Sequence, residues 1–311
     1  MTIIRFPAPL DIDASLDLFR RSGDDLIDRW DGTRLVRTAV LNGERVAYRC
    51  RTVGSIEAPA LHVEPDCATA VAETTFFAAA PEYAALLQSD PVLAELDARF
   101  PGVRQPRQHD LFGALIRCVS SQQVNLRWAV TTRRRLAETF GERHVIGGEI
   151  VYSLDPRRIA RVPPPDIRAL QFTSHKAEFI VEVARAIAED GLSLAHLEAA
   201  SDDQVIARLV AIRGIGRWSA EWILARALGR PVVVAGDLGV RKAVGLAYLD
   251  DPLPSEADVR RATAHWGPAA GVAQALVLHA LSREALPGSL AGPRRSPARS
   301  GTAAVARRSS D

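Results

Sequence analysis

The sequence predicts an α+β fold, in which a small N-terminal β-rich lobe is followed by an all-helical domain. Two alternating apolar runs, "RLVRTAV" and "ERVAYRC", flank Asn42-Gly43, and this dipeptide between such runs is typical of a β-hairpin. From Ser89 onward, apolar residues recur three and four positions apart, which is the period of an amphipathic helix. We therefore assign residues 1–88 to the lobe and residues 89–288 to the helical domain.

Further signals place elements in order along the chain. In the lobe, residues 15–20 predict a short helix, and the run "ALHVEP" predicts a third strand that ends at Pro65. In the second part, Pro91 stands in the first turn of a helix, and Ser201 and Gln204 have the spacing of a capping box. Another helix is predicted to run from a capping Ser174 to a terminating Gly191. The run "VVVA" before "GD" is strand-like.

Composition narrows the class of protein. A chain of 311 residues with 47% hydrophobic and 24% charged residues lies in the globular range, and its net charge of +2 alone favours a polyanionic partner only weakly. Cys50, Cys67 and Cys118 lie far apart, which excludes a disulfide framework and offers no zinc or iron–sulfur spacing. No charged leader precedes an apolar segment and no window has the length of a membrane span, so we expect a cytoplasmic protein.

The stretch "AIRGIGRWSAEWI" carries the most specific chemical signal. It predicts two helices joined by a tight turn, in which Gly214 can adopt positive φ and Gly216 lets another backbone approach closely. The free N–H groups that begin the second helix form a phosphate site at a positive dipole end, and Arg213 and Arg217 flank it. The alternative is a glycine-terminated helical hairpin inside a bundle.

Two tryptophans and an aspartate follow this turn. Trp218 and Trp222 are four residues apart on one helix face, where they either belong to the core or form a stacking wall for a flat ligand. Asp237 precedes a helix and is either its N-cap or a fixed negative charge in a cleft. The sequence separation of 21 from Gly216 to Asp237 suffices for one helix and a return strand, so the carboxylate can return beside the turn.

These motifs together resemble the helix–hairpin–helix DNA glycosylase superfamily, and within it the DNA-3-methyladenine glycosylase II family. The resemblance rests on "AIRGIGRWSAEW", on "GDLGVRKA" and on "PGVRQPRQHDLFGALIRCVSSQQVN", and it extends over about residues 91–281. The N-terminal lobe is also similar in position and strand content to the β-rich first domain of that family.

The resemblance implies a hydrolase of base excision repair that flips a damaged base out of duplex DNA and cleaves its N-glycosidic bond. It places Asp237 at the catalytic carboxylate. It implies that Arg213, Gly214, Gly216 and Arg217 bind the DNA backbone, that Gln122 or Gln123 fills the gap left by the flipped nucleotide, that Trp218, Trp222, Leu238 and Trp266 line the base pocket, and that the carbonyls of Ile212 and Ile215 hold a monovalent cation.

Physical chemistry agrees with these roles. Extruding a base costs a few kcal/mol of stacking, which a wedge and a phosphate anchor offset. A carboxylate about 4 Å from an oxocarbenium-like sugar would stabilise it by roughly 4 kcal/mol at an effective dielectric near 20. An alkylated purine is already cationic, leaves without a general acid, and stacks well on indoles. We therefore expect lesions of the 3-methyladenine and 7-methylguanine type.

Departures from the family pattern refine these expectations. The position of the lysine used by backbone-nicking members is Trp218 here, so no lyase activity is expected. No cysteine follows Cys118, so no iron–sulfur cluster and no other cofactor is expected. Two pocket positions that are aromatic in relatives are Leu238 and Ala269, which suggests a wider or less stacked pocket.

Several alternatives remain open from the sequence. The chain is a monomeric glycosylase for alkylated purines, a glycosylase for oxidised or deaminated bases, or a non-catalytic helix–hairpin–helix protein that only binds DNA. Arginines on the predicted helix after "SSQQVN" form either a solvated face or a phosphate contact. They are Arg127, Arg133, Arg134 and Arg135. Residues 289–311 predict a disordered basic tail that adds salt-sensitive DNA affinity through Arg294, Arg295, Arg299, Arg307 and Arg308.

Overall fold

A computed structural model describes residues 2–286 and confirms the predicted α+β class. The lobe contains a five-stranded antiparallel sheet in the order β1-β5-β4-β3-β2. Its strands are β1 (Thr2–Arg5), β2 (Arg29–Trp30), β3 (Arg34–Leu41), β4 (Glu44–Ser55) and β5 (Ala58–Glu64). The predicted hairpin joins β3 to β4, and its turn residues Asn42 and Gly43 have φ values of 52° and 85°. The predicted third strand is β5.

The lobe buries one face of this sheet under short helical segments. Leu35, Tyr48 and Leu61 are fully buried there, and α1 (Ile12–Leu16) covers them together with α2 (Thr69–Glu73). The predicted helix at residues 15–20 begins earlier, because the carboxylate of Asp11 caps α1, and it continues as a 3₁₀ turn over Asp17–Phe19.

Helices form most of the rest of the chain. They are α3 (Tyr83–Ser89), α4 (Pro91–Arg99), α5 (Leu111–Ser121), α6 (Leu126–Phe140), α7 (Pro156–Ile159), α8 (Pro164–Ala169), α9 (Ser174–Ala188), α10 (Leu194–Glu198), α11 (Asp202–Val210), α12 (Arg217–Arg226), α13 (Leu238–Val244), α14 (Glu256–Ala262) and α15 (Ala270–Ser282). The capping box of Ser201 and Gln204 is present, whereas Thr173 and not Ser174 caps α9. Within residues 2–286, no helix is long and apolar enough to cross a membrane.

Two details of the predicted all-helical part are wrong. A hairpin of β6 (Glu142–Ile146) and β7 (Glu149–Ser153) lies between α6 and α7, because Gly147-Gly148 supplies the two positive φ values of a tight turn. The strand-like "VVVA" run forms no strand, and the amide of Val234 donates to the side chain of Gln274, 2.8 Å away. The predicted tail at residues 289–311 lies outside the described residues, and the domain borders stay predictions.

The helices pack around two separate apolar clusters. The first cluster is built by α5 to α12, and the second by α3 and α4 together with α13 to α15. The chain crosses from the first cluster to the second between the end of α12 and the start of α13. Asp237 stands at the end of that crossing, which places its carboxylate between the two clusters.

Buried ion pairs join the lobe to the first cluster. Asp25 accepts bonds from Arg133 on α6 at 2.9 Å and from Arg117 on α5 at 3.1 Å. Arg117 also pairs with Asp28, which in turn pairs with Arg37 of β3. Burial opposes the charge on Asp25, but Arg117 and Arg133 outweigh it and hold the pKa of its carboxyl at about 2.

We expect this cluster to control acid stability. A folded-state pKa below the unfolded value of about 3.9 stabilises the fold above that pH, and the stabilisation is lost as pH falls toward 2. Asp25→Asn leaves Arg133 without its carboxylate, so unfolding at pH 7 should become easier by about 3 kcal/mol, with a weaker pH dependence between 4 and 2. Urea unfolding at several pH values measures both effects, and Asp203→Asn on the exposed side of α11 is the control. If the free energy of unfolding of Asp25→Asn varied with pH as that of the wild type does, Asp25 would not control acid stability.

Candidate active site

The turn between α11 and α12 uses its two glycines for different reasons. Gly214 has φ of 92°, and a Cβ there would lie 2.1 Å from Cγ of Phe179 on α9. Gly216 is the N-cap of α12 with φ of −97° and ψ of 178°, and no atom lies within 4 Å of a Cβ built on it. Gly214 therefore satisfies the fold, whereas Gly216 leaves open space in front of the amides that begin α12.

Three arginines surround this turn. Arg213 is paired with Glu178 at 2.7 Å, and Arg217 with Glu221 at 2.9 Å, and the two arginine side chains are 62% and 66% exposed. Arg260 of α14 also binds the buried carboxylate of Glu221, at 2.8 and 3.1 Å. Sequence reasoning missed Arg260, because only the packing of α14 against α12 brings it beside Arg217.

Asp237 combines the two roles that the sequence left open. Its Oδ1 accepts the amide of Val240 at 3.0 Å and so caps α13, while its Oδ2 accepts Nε1 of Trp218 at 3.3 Å. A carboxylate offers about four acceptor positions, and these two bonds leave the others available. The cap and the indole together fix the direction of a charged group that also lines a cavity.

That cavity of about 260 Å³ lies between the lobe and the helices. Its walls include Asp237, Trp218 and Trp222, so both tryptophans pack partly on the first cluster and partly face the cavity. The other side chains on its walls come from the lobe, from residues 103–108, from α5, α6 and α12, and from α15. They include Phe19, Arg21, Arg104, Gln105, Gln108, Arg117, Cys118, Leu126, Arg133, Arg226, Leu278 and His279.

Three residues at the expected pocket positions lie elsewhere. Trp266 is 1% exposed and packs in the second cluster against Tyr248, and it is absent from the cavity walls. Ala269 is buried in the same cluster, and Leu238 is 56% exposed outside the cavity. The α15 residues Ala275, Leu278 and His279 line the wall instead. Their i, i+3 and i+4 spacing places them on one helix face, but only the tertiary structure shows that this face borders the cavity.

The two candidates for the wedge, Gln122 and Gln123, have different environments in the loop between α5 and α6. Nε2 of Gln122 donates to the carbonyl of Gly214 at 2.9 Å, so this side chain ties the loop to the turn. Gln123 has φ of 52°, is exposed, and makes no side-chain hydrogen bond within the described chain. Gln123 lies in the four-residue loop that precedes Leu126, which lines the cavity and is 59% exposed.

The four arginines of α6 do not share one environment, whereas the sequence suggested either a solvated face or a phosphate contact for all of them. Arg133 is buried in the ion cluster, whereas Arg134 pairs with Glu138 on the exposed face. Arg135 lies over the ring of Trp128, 5.5 Å from its centroid, and Arg127 is exposed. The helix therefore has one buried structural arginine and three at the surface.

The carbonyl groups of the turn suit a hard monovalent cation by their chemistry. The carbonyl of Ile212 accepts the amide of Ile215 at 3.0 Å and retains a second lone pair. That of Gly214 is bound by Gln122. Among residues 2–286, no group of three or more His, Cys, Asp or Glu side chains is arranged to hold a metal ion.

Comparison with known proteins agrees with this geometry. A family model described as "HhH-GPD superfamily base excision DNA repair protein" matches residues 116–269. Residues 116–269 of the chain form a domain of the HhH-GPD superfamily. This match includes the Gly214–Gly216 turn, the tryptophans and Asp237, and confirms the resemblance inferred from the motifs.

The chain is similar in sequence to DNA-3-methyladenine glycosylases of two bacteria. It is 30% identical over 183 residues to the DNA-3-methyladenine glycosylase of Bacillus subtilis, a match that covers 58% of this chain and 60% of the relative. It is 27% identical over 177 residues to DNA-3-methyladenine glycosylase 2 of Escherichia coli, covering 57% and 60%. The chain thus spans about 60% of the length of these two relatives.

A solved structure shares the fold more completely. The 3-methyladenine DNA glycosylase from Archaeoglobus fulgidus superposes with a TM-score of 0.79 at 23% identity, over 91% of this chain and 99% of that one. The likeness therefore extends to the N-terminal lobe, and it confirms the predicted fold class.

The two glycines of the turn should respond oppositely to alanine. Gly214→Ala places a Cβ against Phe179 at positive φ and should cost more than about 2 kcal/mol of stability. Gly216→Ala should cost less than about 1 kcal/mol, but it fills the open space and should weaken duplex DNA binding about tenfold. Thermal melting and fluorescence anisotropy measure the two effects. Normal DNA affinity in Gly216→Ala would exclude this turn as a phosphate site.

Proposed function

We propose that this protein is a monofunctional DNA glycosylase that removes alkylated purines from duplex DNA in base excision repair. The observation that carries the proposal is Asp237, which is fixed by Val240 and Trp218 on the wall of a cavity that also contains Trp222. The names of the curated relatives support the same activity. DNA binding alone does not need a carboxylate in such a cavity.

Binding begins at the turn before α12. The amides around Gly216 face open space at the positive end of that helix, and Arg217 and Arg260 stand beside it on the buried Glu221. These groups would hold a phosphate of the damaged strand. Gln123 at the tip of its loop would fill the gap in the base stack and offset part of the unstacking cost of a few kcal/mol.

The flipped base would enter the cavity and stack on Trp218 and Trp222. A cationic methylated purine is attracted by the electron-rich faces of the indoles. It also leaves the sugar as a stable neutral base. As the bond to the sugar lengthens, positive charge develops on the sugar, and the fixed carboxylate of Asp237 stabilises it. The free acceptor positions of the same carboxylate can align the water that completes hydrolysis.

Cleavage of the backbone would not follow base release. A lyase needs an amine to form a Schiff base, and the chain has only two lysines, Lys176 and Lys242. Neither lines the cavity, and the ammonium of Lys176 donates to the carbonyl of Ser120 at 2.9 Å. We further propose a cytoplasmic monomer that needs no cofactor beyond a monovalent cation on the carbonyls of Ile212 and Ile215.

Replacement of Asp237 tests the proposal. Asn keeps the N-cap and the shape of the side chain, so Asp237→Asn should fold and bind duplex DNA as the wild type does. Loss of roughly 4 kcal/mol of charge stabilisation should slow base release about 10³-fold. Release of free 7-methylguanine and 3-methyladenine from methylated duplex DNA, measured by chromatography at equal folded concentration, gives the comparison.

The outcomes of this experiment separate the alternatives. Release by the wild type alone supports the proposed glycosylase with Asp237 at its centre. No methylated base released by either protein, with duplex binding intact, would point to oxidised or deaminated lesions or to a protein that only binds DNA. Equal release by both would remove Asp237 from the reaction.

The wedge role of Gln123 has its own test. Gln123→Ala should slow excision about tenfold from a fully paired duplex and by much less from a lesion in an unpaired bulge, where stacking is already broken. Single-turnover excision on the two substrates measures this difference. Arg168→Ala on the exposed face of α8 serves as the control, and equal slowing on both substrates would contradict a wedge function.

A further inference from the structure

Arg226 is the cavity residue that the proposed mechanism does not use. It ends α12 and lines the cavity together with Asp237. Its Nε is buried without a hydrogen-bond partner, and its guanidinium makes no hydrogen bond or ion pair to any residue between 2 and 286. The carboxylate of Asp237 favours its positive charge, and Arg21 opposes it.

The deeper arginines of the same cavity are different. Arg117 and Arg133 are paired with Asp25 in the ion cluster. Arg104 donates to the carbonyls of Val103 and Pro9 at 2.9 and 3.3 Å. Among the cavity arginines that are not exposed, Arg226 is the one whose guanidinium has no hydrogen-bond or ion-pair partner within residues 2–286, although Nε of Arg117 also lacks a hydrogen-bond partner.

An unpaired guanidinium in a protein cavity is costly. Burial lowers the pKa of Arg226 to about 10, with Asp237 acting in the opposite direction, so the group remains charged at neutral pH. A buried donor without an acceptor costs about as much as a broken hydrogen bond, and more when it is charged. A ligand that brings an acceptor into the cavity would remove that cost.

We propose that Arg226 selects the flipped base by donating to a carbonyl oxygen on its edge, so that the cavity favours guanine-type lesions over adenine-type lesions. The inference rests on the proposed function and specifies its substrate class. Guanine and hypoxanthine present an oxygen acceptor at position 6, where adenine presents an amino donor. A guanidinium binds the first group and opposes the second.

The other groups around the cavity fit this selection. Burial, with the nearby charges of Arg283 and Arg21, lowers the pKa of His279 to about 4, so its imidazole is neutral at pH 7. Arg21 lies exposed at the lobe side of the cavity and adds positive charge there. Gln105 and Gln108 complete a wall on which Asp237 is the single unpaired carboxylate among the described lining residues. The cavity therefore attracts acceptor atoms.

The test uses two duplexes that differ in one base, at position 6 and in the N1 proton that accompanies the 6-oxo group. Each carries a 2′-fluoro nucleotide, which resists cleavage, with hypoxanthine in one duplex and adenine in the other. Wild-type protein should bind the hypoxanthine duplex about tenfold more tightly, which corresponds to one charge-assisted hydrogen bond. Arg226→Met keeps the length of the stem and should abolish this preference, while Arg168→Met should retain it.

A third duplex carries purine, which has only hydrogen at position 6. With three duplexes, the wild-type protein alone tests the inference, whether or not the variant folds. The wild type alone should rank hypoxanthine first, purine second and adenine last. Equal affinity of the wild type for the three duplexes, or a preference that persists in folded Arg226→Met, would overturn the inference. Because binding is measured without cleavage, this failure differs from failure of the proposed function, which shows as absence of methylated-base release by the wild type.

Discussion

The buried ion pairs of Asp25 and Asp28 with Arg37, Arg117 and Arg133 are the interaction on which the rest of the structure depends. They attach the N-terminal lobe to α5 and α6, and they do so at the wall of the cavity, since Arg117 and Arg133 also line it. Charged groups this far from water are tolerated only when each finds a partner. The lobe supplies those partners, so it is a necessary part of the site and not an appendage of the helical domain.

The cavity is lined from both apolar clusters of the helical part as well as from the lobe. The chain passes from the first to the second between α12 and α13, and Asp237 lies at that junction. The two interpretations of this aspartate from the sequence were an N-cap and a charge in a cleft. The structure shows that they are compatible, because the bond from Val240 that caps the helix also aims the carboxylate.

Local signals predicted much of the fold and part of the site. The turn at Asn42-Gly43, the Ser201 capping box and the glycine turn before α12 each depend on residues close together in the chain, and each is found as predicted. The second hairpin had an equally good signal in Gly147-Gly148, which was missed.

The differences between the expected pocket residues and those on the cavity walls have a common physical cause. Trp266 was expected in the pocket and lies in the core, while Arg226, His279 and Arg260 were not identified. The direction of a helix face depends on what packs against it. Residue type and spacing predict which side chains share a helix face, but not which element packs against that face. The surroundings of these side chains could therefore be assigned only from the tertiary structure.

The hydrogen bond from Gln122 to the carbonyl of Gly214 joins the loop that carries Gln123 to the turn that would hold the phosphate. An enzyme that inspects a genome meets intact nucleotides almost everywhere, and each unproductive insertion into the stack delays its diffusion along the helix. Under the proposed function, the two elements would reach the DNA together, and Gln123 would have no position independent of the phosphate-binding turn. The time spent at each nucleotide would then depend on how long one phosphate is held, which would make the speed of the search sensitive to ionic strength.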